Sequence, residues 1–451
     1  MSNSSFAVEQ QAQAAPVGLL PPDDAWRVSL HNEVHARPQA RIRLPALLTY
    51  VAVLNHGLSR EDEWAHLRSL PGQQDLALQA LQGNFLRLRL GGYTVKWERH
   101  SEFTRYSIVQ PLPEGAGLDV ERPALSDRLA TPPGWLAGIP GQTIAAIQMV
   151  LLEHELAEGE DLMPQAARCL GSPRTLVASQ MGLGHSWVIT DFQLAADGFE
   201  RMLVLMRTGG SETRPGRVAA RLLELETYRL MALRGLPVAK ALGPVLAGVE
   251  AELADLTAQL ESRAASEQDL LDRLIALAAR VERSTAEHGY RFSATRAYAD
   301  LVEQRILELR ERTIPGNQTV GEFMRRRLSP AIATVASTER RLAALSERIA
   351  RTSGLLRTRV DIVTEGQNQQ LLEKLTHGQQ LQLRLQSTVE GLSIAAISYY
   401  VVSLLLYGAK ALKGLGLPLQ PELAAGLLVP VVLWGVWRTT KRIHEKLHAG
   451  H

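Results

Sequence analysis

Two histidines near the start of the chain have the spacing of metal ligands. His31 and His35 lie four positions apart, so on a helix they would share one face and could bind one divalent metal ion. Glu33 would point away from that face, unlike the zincin arrangement, where the general-base glutamate directly follows the first histidine. Arg37-Pro38 indicates that the segment ends in an extended turn. The pattern supports either a metal site or a structural motif whose polar side chains cap a sheet.

Other reactive side chains do not form a catalytic set. His185, Ser186 and Asp191 have the residue types of a triad, but neighbouring positions of one predicted strand face opposite sides of a sheet. The run Met181–Trp187 lacks the Lys-Ser/Thr of a P-loop and predicts a tight turn between two strands. Cys169 has no histidine nearby and is predicted to be a core residue. We therefore predict that the protein is not an enzyme and uses no cofactor.

Composition excludes several classes of protein. The 451 residues include 49 Lys+Arg and 47 Asp+Glu, and the net charge of +2 gives no sign of a nucleic-acid partner. A single cysteine excludes an internal disulfide and a site built from several thiolates. The mean hydropathy of -0.06 excludes a chain made mostly of lipid-facing helices. At roughly 150 residues per domain, the length predicts two or three structural units.

Uncharged runs near the C-terminal end predict a membrane hairpin. Residues 391–409 are 19 positions without a charged side chain, and such a helix spans about 28 Å, close to the ~30 Å hydrocarbon core. A shorter apolar run, 423–437, contains Pro430, which should kink a second span. Basic residues after that run place both termini in the cytoplasm by the positive-inside rule. The alternative is a buried helical hairpin in a soluble protein.

One face of the first predicted span carries small and polar side chains, and the same register extends back into the preceding helix. This face, called the polar stripe below, comprises Gln379, Gln382, Gln386, Ser393, Ala396, Tyr400, Ser403 and Tyr407. Polar groups in hydrocarbon need partners, so the stripe must face another helix or water. It therefore marks either a helix interface, with the second span or a neighbouring subunit, or a water-filled pathway.

The N-terminal half predicts an α+β domain. Phe85–Leu90 and Tyr93–His100 alternate with period two around Gly91-Gly92, which is the pattern of a β-hairpin. Six further segments read as strands, and Ser59 with Asp62 predicts a capped helix between them. Because strands follow one another with few helices between them, we expect a largely antiparallel sheet.

The segment after this domain, residues 213–388, is predicted to form a helical stalk. It is rich in Ala, Leu, Glu and Arg, with apolar residues every three or four positions, and indicates three or four long antiparallel or coiled helices. Breaks are expected near 235–237, 313–317 and 329–330, and the last helix has no stop signal before the first span. Arg325–Arg327 predicts a solvated face or a contact with anionic lipid.

Together these patterns predict five segments. They are a flexible tail at 1–22, a cytosolic α+β domain at 23–212, the helical stalk at 213–388, the transmembrane hairpin at 389–440 and a basic cytoplasmic tail at 441–451.

Three segments resemble a bacterial family of uncharacterised membrane-anchored proteins. They are LHNEVHARP (30–38), PRTLVASQMGLGHSWVITDF (173–192) and VEGLSIAAISYYVVSLLLYGAK (389–410). The resemblance covers nearly the whole chain and implies anchoring in the bacterial inner membrane, with no assigned reaction. The order of elements is also similar to CorA-type magnesium transporters, whose first span ends in Tyr-Gly-Met-Asn. Here Tyr407-Gly408 precedes Ala409-Lys410, and a cation at the pore mouth disfavours Mg²⁺ entry.

We therefore predict a membrane-anchored, homo-oligomeric scaffold or sensor of unknown ligand, whose cytosolic domain is coupled through the stalk to two transmembrane helices. Its expected partners are the lipid bilayer and other copies of the chain. The alternative is a CorA-like channel or transporter of a divalent cation. A hydrolase tethered to the membrane is disfavoured because the chain has no catalytic set.

Overall fold

The computed structural model describes residues 23–28, 30–31, 41–113, 116–118, 129–155, 162–171, 175–262, 265–414 and 420–448. The chain has the predicted α+β composition and forms two compact units. The first comprises Met1–Ser262 and Asp272–Ile349 and contains the sheet. The second comprises Arg263–Leu271 and Ala350–His451 and is helical.

One mixed sheet of nine strands forms the centre of the first unit. The strands are β1 (Ala46–Leu54), β2 (Phe85–Leu90), β3 (Tyr93–Arg99), β4 (Phe103–Pro111), β5 (Gln142–His154), β6 (Val177–Met181), β7 (Ser186–Leu194), β8 (Glu200–Arg207) and β9 (Arg312–Thr313). Their order in the sheet is β2-β3-β4-β1-β5-β8-β7-β6-β9. All neighbours pair antiparallel except β5 and β8, which are parallel, so the prediction of a largely antiparallel sheet is confirmed.

Helices account for most of the remaining described chain. They are α1 (Arg60–Arg68), α2 (Met163–Cys169), α3 (Thr213–Leu233), α4 (Gly235–Ser262), α5 (Glu267–Leu309), α6 (Val320–Gly414) and α7 (Pro421–His448). The predicted cap of α1 is confirmed, because the Asp62 amide donates to Ser59 Oγ at 3.1 Å and the Ser59 amide donates to Asp62 Oδ2 at 3.0 Å. The boundary of α3 and α4 and the connection between α5 and α6 lie at two of the predicted breaks.

The third predicted break, at Ser329-Pro330, is wrong. Helix α6 continues through Pro330 and is 95 residues long. Leu328 and Ala331 on either side of the proline are buried, so packing holds the helical path. The carbonyl that loses its donor belongs to exposed Arg326, where water can replace the missing hydrogen bond.

Helices cover both faces of the sheet. Because successive side chains of a strand point to opposite faces, β1 contributes to separate hydrophobic clusters. Leu48 and Tyr50 lie in the cluster that contains α3, the end of α5 and the first turns of α6. Val51 and Val53 lie in the cluster that contains Leu67 of α1. The helices α3 and α5 therefore pack on the same face of the sheet.

Candidate functional site

A cavity of about 510 Å³ lies in the first unit, between strands β1–β4 and the helices α3 and α5. Its volume falls in the range of roughly 300–1,000 Å³ that is typical of small-molecule sites. Both walls carry charged side chains, which sets this cavity apart from the apolar clusters around it.

The charged wall on the sheet side follows from the alternation of strand side chains. On β3, Lys96 and Glu98 face the cavity, whereas Val95 and Trp97 are buried in the core on the opposite face. Neighbouring strands place further cations beside them. Arg87 of β2 pairs with Lys96 in the register, and Arg105 of β4 pairs with Glu98.

Carboxylates of the strands and helices connect the two walls through ion pairs. Arg105 Nε lies 2.6 Å from Glu98 Oε2, and Arg105 Nη1 lies 3.3 Å from Glu224 Oε1 of α3. The other oxygen of Glu224 accepts a hydrogen bond from Arg305 Nε of α5 at 2.7 Å. Glu224 thus bridges a strand arginine and a helix arginine, and it fixes α3 and α5 over the cavity.

Burial and neighbouring charges control the protonation of the sheet wall. Burial opposes ionisation of Glu98, but Arg105 and Lys96 lower its pKa below the usual value, so the carboxylate stays charged. Burial also lowers the pKa of Lys96, and Glu98 opposes that shift. Burial would lower the pKa of Arg105, yet the carboxylate of Glu98 raises it overall. The ion pairs with Arg105 and Lys96 therefore favour the ionised form of Glu98.

Positive charge exceeds negative charge around the cavity. Six cationic side chains line it, against the three carboxylates Glu98, Glu224 and Glu308. The cations are Arg87, Lys96, Arg105, Arg217, Arg221 and Arg305. The Nε atom of Arg87 is buried and has no hydrogen-bond partner among the residues that the structure describes. A smaller cavity of about 330 Å³ shares Arg217, Arg221 and Glu308 with this one and adds Arg214 and Arg310 to its lining.

A pair of buried carboxyl groups lies outside the cavity. Glu200 of β8 and Glu226 of α3 are 4% and 1% exposed, and the Glu226 carboxylate accepts a hydrogen bond from Arg229 Nε at 2.8 Å. Burial, the negative charge of Glu226 and a hydrogen bond between the two carboxyl groups raise the pKa of Glu200 well above its usual value. Glu200 is therefore harder to ionise than an ordinary glutamate.

The predicted metal ligands are only partly within the described residues. His31 lies in an exposed helical turn, and His35 lies outside the described residues. Across the described ranges, no group of three or more His, Cys, Asp or Glu side chains is placed to hold a metal ion. Metal binding by His31 and His35 stays a prediction.

The polar stripe lies on α6 within the second unit. Tyr400 and Tyr407 are 67% and 68% exposed, and Ser393 and Ala396 are exposed as well. In contrast, the neighbouring Ser398 is buried, at 4% exposure. Ser403 is half-buried, and the described part of the chain leaves the other members of the stripe exposed. The role of the stripe as an interface or a pore stays a prediction.

The remaining residues considered from the sequence have structural positions. Gly182–His185 is a turn between β6 and β7, as predicted, and Ser186 is buried at the start of β7. Cys169 is a buried core residue, and burial raises the pKa of its thiol. Arg325–Arg327 is exposed, and Arg325 forms an ion pair with Glu303 at 3.1 Å.

Three helical segments of the described chain are long and apolar enough to cross a membrane, judged by length and composition. They are Thr213–Ser262, Val320–Ala411 and Pro421–Arg442, with mean hydropathies of 1.3, 1.8 and 1.4 over their most apolar stretches. In the first, which covers α3 and α4, 33% of that stretch is buried, and α3 packs on the sheet. In the other two only 6% is buried, and these contain the two predicted spans.

The fold and the cavity define a mixed-sheet protein with a charged internal site and long apolar helices. The chain belongs to the family described as "Protein of unknown function (DUF3422)", which matches residues 22–447. No curated protein and no solved structure matches the chain. The predicted membership of an uncharacterised family is confirmed, whereas the similarity to CorA-type transporters is not.

Proposed function

We propose that the protein is a non-enzymatic scaffold or sensor anchored in the bacterial inner membrane by two helices, with its sheet unit in the cytoplasm. The observation that carries this proposal is the exposure of the apolar run 391–409 on α6. Leu392, Tyr399 and Leu404 are 73%, 71% and 70% exposed. A contiguous apolar surface of this kind is unfavourable in water and suits a lipid environment. It also argues against a hairpin buried in a soluble core.

The start of α6 supports coupling between the sheet and the membrane helices. The Glu311 carboxylate accepts hydrogen bonds from the Gly321 amide at 3.0 and 3.1 Å, and from the hydroxyls of Thr319 and Ser179 at 3.1 Å each. Ser179 lies on β6, and its Oγ also accepts from the Val320 amide at 2.8 Å. The first turn of α6 is thus fixed to a strand, and the same helix continues to the apolar run.

Exposed leucines on α6 support self-association. Several large apolar side chains precede the proposed span on α6. The spacing between them is in each case a sum of three- and four-residue steps, as in a coiled-coil seam. They are Leu371, Leu375, Leu385 and Val389, with exposed fractions between 57% and 67%. A parallel copy of α6 would bury this seam and place the adjacent polar stripes close to one another, which provides the partners that polar groups need in a bilayer.

Reporter fusions and fractionation test the proposed anchoring. A green fluorescent protein fused after His451 should fluoresce, an alkaline phosphatase at the same place should be inactive, and the chain should stay in the membrane pellet after an alkaline carbonate wash. An active phosphatase would refute the cytoplasmic C-terminus. A fully soluble chain would refute the anchor. The CorA-like alternative has no observation in its favour among the described residues.

A further inference from the structure

The two adjoining cavities of the sheet unit, together called the basic cavity, have an excess of positive charge. Eight cationic side chains line them, against three carboxylates. The carboxylates pair with Lys96, Arg105, Arg221 and Arg305. The other four cations have no carboxylate partner in the described part of the chain. These are Arg87, Arg214, Arg217 and Arg310.

Two of these unpaired arginines occupy opposite walls of the larger cavity. Arg87 comes from β2, and its Nε donor is buried without an acceptor among the described residues. Arg217 comes from α3 and lines both cavities. A buried donor without an acceptor is unfavourable, and a bound acceptor would remove that cost. The position of these donors therefore marks where an acceptor group would bind.

We propose that the basic cavity binds a small organic anion with two or more negative charges, of the phosphate-ester or polycarboxylate class. Guanidinium groups match the planar oxygen pairs of carboxylates and phosphates and bind them through paired, charge-assisted hydrogen bonds. A cavity lined by one sign of charge also concentrates ligands of the opposite sign. The volume of about 510 Å³ suits a metabolite-sized ligand. This inference rests on the proposed function in one respect, since it supplies the ligand class for the sensor.

Calorimetric titration of the full chain in detergent tests the proposal. The probes are inorganic pyrophosphate, citrate and, as a neutral control, glucose. We expect saturable binding of pyrophosphate, citrate or both, weakened in 0.5 M NaCl, and no binding of glucose. Preference for one of the two anions distinguishes a phosphate site from a carboxylate site. If neither anion binds, the proposal is overturned.

Matched variants show whether binding occurs in the basic cavity. Arg87→Gln and Arg217→Gln should each weaken anion binding at least ~10-fold, because each removes a charged donor. Arg89→Gln is the control, since Arg89 lies two residues further on the same face of β2 and does not line the basic cavity. Anion binding that is unchanged in Arg87→Gln and Arg217→Gln, or equally weakened in Arg89→Gln, overturns the proposal. If Arg87→Gln unfolds, exposed Arg217 decides alone.

The binding result and the anchoring result are independent. A chain that binds citrate but is soluble after fractionation would refute the membrane proposal and leave the ligand site intact. A chain that stays in the membrane but binds neither anion would refute the ligand site alone.

Discussion

Substitution of Glu311 by glutamine should destabilise the sheet unit, because this carboxylate holds the start of α6. Three groups donate to it: the Gly321 amide, the Thr319 hydroxyl and the Ser179 hydroxyl. Glutamine keeps the shape of the side chain, but it removes the negative charge. Its amide group would also direct N–H donors toward groups that are themselves donors.

The expected loss follows from the charge on the acceptor. A hydrogen bond to a charged group contributes about 1.5–3 kcal/mol and a neutral one about 0.5–1.5 kcal/mol, so each weakened bond loses roughly 1 kcal/mol. The negative charge at the helix N-terminus adds about 0.3–1 kcal/mol. Because the donors share one carboxylate, these values do not add fully. We expect Glu311→Gln to lower the free energy of unfolding by about 2–3 kcal/mol.

Guanidinium unfolding of the full chain in detergent, followed by tryptophan fluorescence, measures this loss. The control is Glu303→Gln, which removes a charge from the same region. Glu303 pairs with Arg325 at 3.1 Å, and both side chains are about half exposed, so its loss should cost less than about 1 kcal/mol. Equal unfolding midpoints for Glu311→Gln and wild type would refute the role of Glu311 in fixing α6.

Three further substitutions have distinct outcomes. Gly321→Ala should destabilise the chain by roughly 1–3 kcal/mol in the same unfolding assay, since a Cβ there would lie 2.7 Å from Ile306 Cγ2 and would also clash with a Glu311 oxygen. Gly354→Ala, with open space in the same helix, should stabilise the chain by about 0.5–1 kcal/mol. Equal effects of the two substitutions would contradict the close packing at Gly321. The wild-type protein should lose stability as pH rises from about 4.5 through the raised pKa of Glu200, because the folded state then holds a proton that the unfolded state has released. Glu200→Gln should therefore be more stable than wild type by about 1 kcal/mol or more at pH 8, but not at pH 4. Parallel curves of stability against pH for the two proteins would exclude this titration. Ser403→Asp should disrupt assembly or membrane retention, because Asp at the centre of a membrane-spanning helix costs about 2.5–3.5 kcal/mol. Leu405→Asp is the control and should be harmful as well. An assembled Ser403→Asp protein with increased cation leak in liposomes would favour the channel instead.

Much of the fold could be predicted from periodicity. All eight predicted strands are present. The hairpin strands β2 and β3 alternate apolar and polar residues, whereas β1 is a short apolar run that is buried along nearly its whole length. The two-residue strand β9 was not predictable in this way, since it exists only because the connection from α5 to α6 passes beside β6. The error at Pro330 has a related cause. Packing of Leu328 and Ala331 outweighs the local preference of proline to end a helix.

The basic cavity could not be predicted, because its residues come from elements far apart in the chain. Arg105, Glu224 and Arg305 meet only after β4, α3 and α5 have packed together. One signal was present, in the alternation of charged and apolar residues along β3. That alternation is also typical of a strand with one face in water, so the sequence does not distinguish solvent from a cavity.

Because its single thiol is buried, the wild-type chain can be labelled at an introduced cysteine with little competing reaction at the native one. Cys169 is 3% exposed and burial raises its pKa, so it presents little reactive thiolate to a maleimide. One cysteine introduced at Arg217, or at Tyr407 on the exposed stripe, would then carry the only accessible probe. Spin or fluorescent labels could report ligand entry at the first position and proximity of copies at the second, without prior removal of a native cysteine.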